Sequence, residues 1–121
     1  MAYHDPIHAT YTLAAADLTS TGTLLSVVGP AGKRGRLVGI TGVVTTGVTV
    51  AASTVTVGTA GDGDAYGTLT VPIASAGAVA NDPTVTAVDD NLMPADTAVV
   101  IATGGEATAG AADLAVHIAW Y

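Results

Sequence analysis

The sequence predicts an all-β domain, an antiparallel β-sandwich or jelly roll of about eight strands, and three observations carry that reading. The 121 residues include 19 Thr and 16 Val, and β-branched side chains suit pleated, half-buried backbone. Apolar residues recur at every second position in several runs, the period of a strand with one buried face. Those runs are short and separated by Gly, Pro and Asp, whereas no stretch carries a convincing helical period.

The plainest alternation closes the chain. Leu114, Val116, Ile118 and Trp120 fall on one face of residues 114–121, and Ala115, His117, Ala119 and Tyr121 on the other. The bulky face holds the single Trp, so these four residues are expected to anchor the core. Residues 97–103 form a second apolar run, and with the Gly/Ala stretch between them the two runs predict a long-looped antiparallel hairpin.

From the start of the chain, residues 1–6 read as an N-terminal arm, because Asp5-Pro6 marks a break, and residues 7–121 as a single sandwich domain. Ile7, Ala9, Tyr11 and Leu13 alternate with His8, Thr10 and Thr12 in a first strand. AAADLTSTG (14–22) is read as loop, 23–28 as the second strand and GPAGKRG (29–35) as a breaker-rich loop. A third strand begins at Arg36 and is expected to bend, since Gly39 and Gly42 inside it mark a bulge or the close approach of another backbone. Residues 45–52 fit either an extension of that strand or a connector. Residues 53–58 alternate again, TAGDGD forms a turn, and 65–73 returns with Leu69, Val71 and Ile73 on one face and Pro72 at an edge or strand end. A small-residue loop (74–82), a short strand (83–88) and the polar turn DDNLMPAD complete the chain.

Large side chains are few: there is no Phe and one Trp against 24 Ala and 15 Gly. Burial of apolar area is the main favourable term in folding, so the core is expected to be thin. A thin core and the Ala-rich second face of the last strand favour self-association as a small homo-oligomer, which stabilises by mass action. The net charge of −7 disfavours nucleic-acid binding. Lys33, Arg34 and Arg36 are the whole basic complement, so one loop is positive on an acidic protein. No apolar run reaches the length of a membrane span, and the start of the chain has no signal-peptide pattern, which predicts a protein made and kept in the cytoplasm.

The chain offers no catalytic constellation. With no Cys, neither disulfides nor thiolate zinc sites are available. Asp62 and Asp64 resemble the opening of a calcium loop but lack its later ligands, and Asp89-Asp90 adds no cleft-forming pattern. His4 and His8 lie about 13 Å apart in an extended chain, too far for one metal ion, and His117 is expected to pack or to sit at an interface. No nucleophile elbow, P-loop or dinucleotide fingerprint appears. Neither an enzyme activity nor a cofactor or metal is expected.

The succession GRLVGITGVVTTGV (35–48), STVTVGT, GDGDAYGTLTVPI (61–73), MPADTAVVIATGG (93–105) and AGAADLAVHIAWY resembles the small head-decoration, or capsid cement, proteins of tailed bacteriophages. The resemblance implies a jelly-roll-like sandwich, a structural virion protein that binds the outside of an assembled shell of major capsid protein as a small oligomer. The expected contacts are the arm, with Tyr3, His4, Asp5 and Ile7, and the loop cations Lys33, Arg34 and Arg36, while the GDGD turn should point to solvent. The alternative is a carbohydrate- or receptor-binding module of head-fibre type. Sugar sites present exposed aromatics, and Tyr3, Tyr11, Tyr66, Tyr121 and Trp120 are the entire supply.

Overall fold

Alternating apolar side chains build two antiparallel sheets in the computed structural model, which describes residues 7–81, 83–85 and 93–121. The strands are β1 (Ile7–Asp17), β2 (Gly22–Val27), β3 (Gly35–Thr49), β4 (Ser53–Gly58), β5 (Gly67–Val71), β6 (Val79–Ala80), β7 (Thr84–Val85), β8 (Val99–Thr103) and β9 (Ala109–Trp120). One sheet has the order β1-β9-β3-β6, the other β2-β8-β4-β5-β7. The pairings are nested: β1 with β9, β2 with β8, β3 with β6, β4 with β5. The chain is therefore folded as a long hairpin rolled over itself, in which every connection except β4–β5 and β7–β8 passes from one sheet to the other, a jelly-roll-like arrangement.

That topology corrects the expected closing hairpin. β8 pairs with β2 and β4, whereas β9 pairs with β1 and β3 in the opposite sheet. Residues 104–108 cross between the layers. Five residues reach about 17 Å, more than the roughly 10 Å that separates packed sheets. Alternation reports which face of a strand is buried, and both sheets bury a face in the same core, so it cannot distinguish a hairpin from a crossover.

Smaller differences have local causes. β1 continues through Ala16 and Asp17, expected as loop, by way of a register shift between Leu13 and Ala16. The bulge holds Ala15 at φ 46°, and the Asp113 carboxylate on β9 accepts the Ala15 N–H at 2.7 Å. β3 takes in residues 45–49, with Val48 buried, and its register shifts beside Gly39 and again between Val44 and Thr49. At Gly42 a Cβ would come within 3.0 Å of Leu114, so this second glycine marks close packing. Ile73 is 59% exposed and does not join Leu69 and Val71 inside, because β5 stops at Val71, ahead of Pro72. Ala80, within the expected 74–82 loop, pairs with Gly42. Of the expected 83–88 strand, Thr84–Val85 is strand; residues 86–88 and the arm 1–6 lie outside the described residues.

Leu114, Val116, Ile118 and Trp120 are all buried, at most 2% exposed. Trp120 sits where β9 passes between Ile7 of β1 and Gly35 of β3. Its ring fills a slot walled by two glycines: a Cβ at Gly29 or Gly35 would lie 2.5 Å from ring carbons, and the Met93 sulfur borders the same space. The indole N–H donates to the Tyr11 hydroxyl at 3.2 Å, which satisfies the one polar atom of a buried ring.

The opposite end of the sandwich is laced by main-chain bonds and short polar side chains. Thr21 Oγ1 donates to the Gly104 carbonyl at 2.6 Å, Gly104 N–H to the Thr54 carbonyl at 2.9 Å and Thr108 N–H to the Thr49 carbonyl at 3.1 Å. Ser53 Oγ and Thr103 Oγ1 share a buried hydrogen bond. The Asp17 carboxylate accepts both the N–H and the hydroxyl of Thr19, and these bonds hold its pKa below the usual value. The same end contains a strained residue. Val50, β-branched and 76% exposed, has φ 73° inside a tight turn closed by Ala51 N–H on the Thr49 carbonyl.

Trp120→Ala should lower stability by about 3 to 5 kcal/mol in denaturant unfolding. Native tryptophan emission should be blue-shifted; a red-shifted native spectrum would contradict the slot. Gly35→Ala should cost about 1 to 3 kcal/mol by overpacking the same ring. Val50→Gly should raise stability by roughly 1 kcal/mol, because relief of left-handed strain exceeds the entropy of the added glycine; an unchanged or lower melting temperature would disprove it.

Candidate interaction surface

Strand register brings together parts of the chain that are distant in sequence. Ile7, Trp120 and Gly35 stand side by side at one end of the β1-β9-β3 sheet, so the point where residues 1–6 join β1 lies two strand spacings, about 10 Å, from the start of β3. At the same end of the other sheet, Val27 pairs with Val99 and Gly58 with Val100. Leu37 of β3 packs against Gly67 of β5. This end therefore gathers the start of β1, the 28–34 loop, the 59–66 loop and Tyr121.

The 28–34 loop is held through its backbone. Lys33 N–H donates to the Pro30 carbonyl at 3.0 Å, closing a turn whose third residue, Gly32, has φ 73°, a conformation that favours glycine. Gly32 N–H donates to the Asp96 carboxylate at 3.0 Å. Arg34 exchanges both main-chain bonds with Tyr121, at 3.1 and 2.8 Å, and Gly35 exchanges both with Met93, at 3.0 and 2.8 Å. No local pattern in the sequence announces Asp96, Met93 or Tyr121 as the clamp, since all three act across more than fifty residues. The cations they position are Arg34 and Arg36, both exposed, and Lys33, half-buried. Among the described residues none of the three is paired with a carboxylate. Arg36 stands opposite Ala119, and His8 stands on the other side of it. The outward-facing Ala119 between them is buried.

The other expected site residues fall as follows. Ile7 is 48% exposed beside the loop cluster; Tyr3, His4 and Asp5 lie outside the described residues. Asp62, Gly63 and Asp64 are exposed at the tip of the β4–β5 hairpin. Asp62 N–H bonds Thr59 Oγ1 at 3.0 Å, and Thr59 N–H bonds the Asp62 carbonyl at 2.8 Å. Tyr66, buried at the foot of this hairpin, has its pKa raised, first by burial and then by the Asp62 charge. The acidic turn and the basic loop thus share one end of the molecule. His117 is half-buried, its Nδ1 3.0 Å from Thr10 Oγ1.

Among the described residues no three His, Asp or Glu side chains converge as a metal site; Asp89 and Asp90 are outside them. A shallow depression of about 400 Å³ on the outer face of β1, β9 and β3 is bordered by Thr12, Ala14, Thr41, Val43, Asp113 and Ala115. It contains no aromatic ring, and the Asp113 carboxylate in it is already engaged by Ala15 N–H. Of the described aromatics only Tyr121 is exposed.

No protein-family model, curated protein or solved structure matches this chain.

If Asp96 holds the loop, Asp96→Ala should accelerate amide hydrogen exchange at Gly32 and destabilise the fold by about 1 kcal/mol, leaving Trp120 emission unchanged. Asp96→Asn should behave like the parent, because Asn keeps the acceptor and tolerates the φ of 58° at this position. Identical exchange at Gly32 in the Ala variant would remove Asp96 from the clamp.

Proposed function

We propose that this protein decorates the exterior of an assembled tailed-phage head and stabilises the shell as a structural, non-enzymatic component. The observation that most supports the reading is the shared end of the sandwich. There the start of β1 and every Lys and Arg of the chain stand on a backbone-clamped platform. A decoration protein requires a rigid body, a presented contact surface and no chemistry, and the resemblance in sequence order points the same way. On an acidic molecule, three cations at one point, none of them paired with a carboxylate among the described residues, lower the repulsion against an acidic surface and speed encounter with it. Clamping the backbone beforehand reduces the entropy lost when the contact forms. A protein that binds the assembled shell and not its free subunits adds RT ln(1 + [L]/Kd) of stability per site, multiplied over many sites. Self-association into a small homo-oligomer belongs to this proposal.

Co-sedimentation with purified expanded capsids tests it. The parent should pellet with shells. Deletion of residues 2–6 should weaken binding at every salt concentration, since main-chain and apolar contacts are not screened. Combined Lys33→Ala, Arg34→Ala and Arg36→Ala should weaken it mainly at low salt. Asp62→Asn with Asp64→Asn should bind at least as well as the parent, with any gain confined to low salt, because the acidic turn shares the contact end. A parent that stays in the supernatant overturns the function, and parent-like decoration by both the deletion and the triple variant overturns the contact surface.

A further inference from the structure

The two long sides of the sandwich are not closed equally. On one side the sheets end in β1 and β2, each the outermost strand of its layer. β1 pairs only with β9 and β2 only with β8, so the outward main-chain groups of both strands have no backbone partner among the described residues. Tyr11, Leu13, Leu24, Leu25 and Val27 belong to these two strands, packed on the core but only partly buried. The remaining partly buried apolar residues around the core are alanines. Water therefore reaches large apolar side chains along this seam and nowhere else in the described core.

Free edges normally carry features that discourage pairing, such as Lys, Pro or very short strands. Neither IHATYTLAAAD nor GTLLSV contains Lys, Arg or Pro. The bulge in β1 lies beyond Leu13, so residues 7–13 keep unbroken register, and β2 shifts register between Thr23 and Leu25, which leaves 25–27 as its regular part.

We propose that a second copy of this chain covers the β1/β2 seam, edge to edge. Charge selects this occupant. Two molecules of net charge −7 repel, yet the titratable side chains of β1 and β2 are only His8, Tyr11 and, at the far end, Asp17. A partner chosen for positive charge would be drawn to the carboxylate-bearing loops. A neutral edge suits an identical edge, since antiparallel main-chain pairing is self-complementary. The Ala-rich outer face of β9 suits a second copy less well, because exposed Asp113 lies on it and would approach its equivalent. An 11-residue edge is about 37 Å long and the sheets lie about 10 Å apart. That is a footprint of the order of 400 Å² per copy before side-chain relief, roughly 800 Å² in total and below the size of stable specific dimers, so weak association, of the order of tens of micromolar, is expected. The inference takes up the self-association proposed above and does not depend on the shell reading; its failure leaves the capsid co-sedimentation result unaffected.

Sedimentation equilibrium of the full chain from about 1 to 100 µM tests it. The parent should rise above its monomer mass of 11.7 kDa as concentration increases. Leu25→Glu, which places a charge in the seam, should remain monomeric with native Trp120 emission, and Ala115→Glu on the outer face of β9 should associate like the parent. In the parent, amide exchange in residues 7–13 should slow across the same concentration range; this decides the matter if Leu25→Glu does not fold. A monomeric parent at the top concentration overturns the proposal, and so does loss of association in Ala115→Glu alone. Exchange in residues 7–13 that ignores concentration overturns it as well.

Discussion

Everything at the candidate interaction end is built on the seating of Trp120. A buried indole is the largest single contribution this core has available, in a chain with no Phe and one Trp. The slot exists because Gly29 and Gly35 have no side chains to fill it. Those glycines flank the basic loop, so the contact that seats the ring also sets where the loop leaves β2 and enters β3. Met93 and Tyr121 complete the arrangement by pairing with Gly35 and Arg34. Core packing and the presentation of Arg34 and Arg36 are consequently one structural problem, and loosening the ring loosens the cations.

The rolled hairpin divides the molecule into two ends of different character. At one end Thr, Ser and Gly residues stitch the crossovers to each other through short hydrogen bonds, several of them to backbone carbonyls. The whole Lys and Arg complement lies at the other, where the basic loop, the acidic turn and the start of β1 meet. Positive charge is thus confined to one end of a molecule whose net charge is negative. Recognition by such a body depends on which end meets a partner, and screening acts on that end first.

The seam between β1 and β2 relates stability to association. Its Leu, Val and Tyr side chains contribute to the core while remaining partly wet, so the monomer forgoes part of the apolar burial that its few large residues offer. Covering the seam recovers that area without altering the fold, and does so where the molecule carries least charge. Rigidity, a solitary cation cluster and a neutral edge are compatible properties because the topology places them on different surfaces.

The sequence by itself determined the class of fold, the faces and the turns. Alternation placed Leu114, Val116, Ile118 and Trp120 on one side of a strand, Val/Thr content made that strand one of many, and GDGD marked the β4–β5 turn. These are local properties, set by a two-residue period and by the backbone preferences of Gly, Pro and Asp. Pairing was decided only in three dimensions. β8 and β9 are sequence neighbours with matching patterns, yet they lie in opposite sheets, because alternation toward a shared core carries no record of which layer a strand joins. The site divides in the same way. Lys33, Arg34 and Arg36 stand out in the sequence as a charge cluster, whereas their clamp by Asp96, Met93 and Tyr121, their nearness to Ile7 and the open seam beside β2 arise from register between distant strands. The bonds of Met93 and Tyr121 are main-chain bonds, blind to residue type, and the Asp96 carboxylate acts on a residue distant in sequence, so these relations leave no local mark in the order of the amino acids.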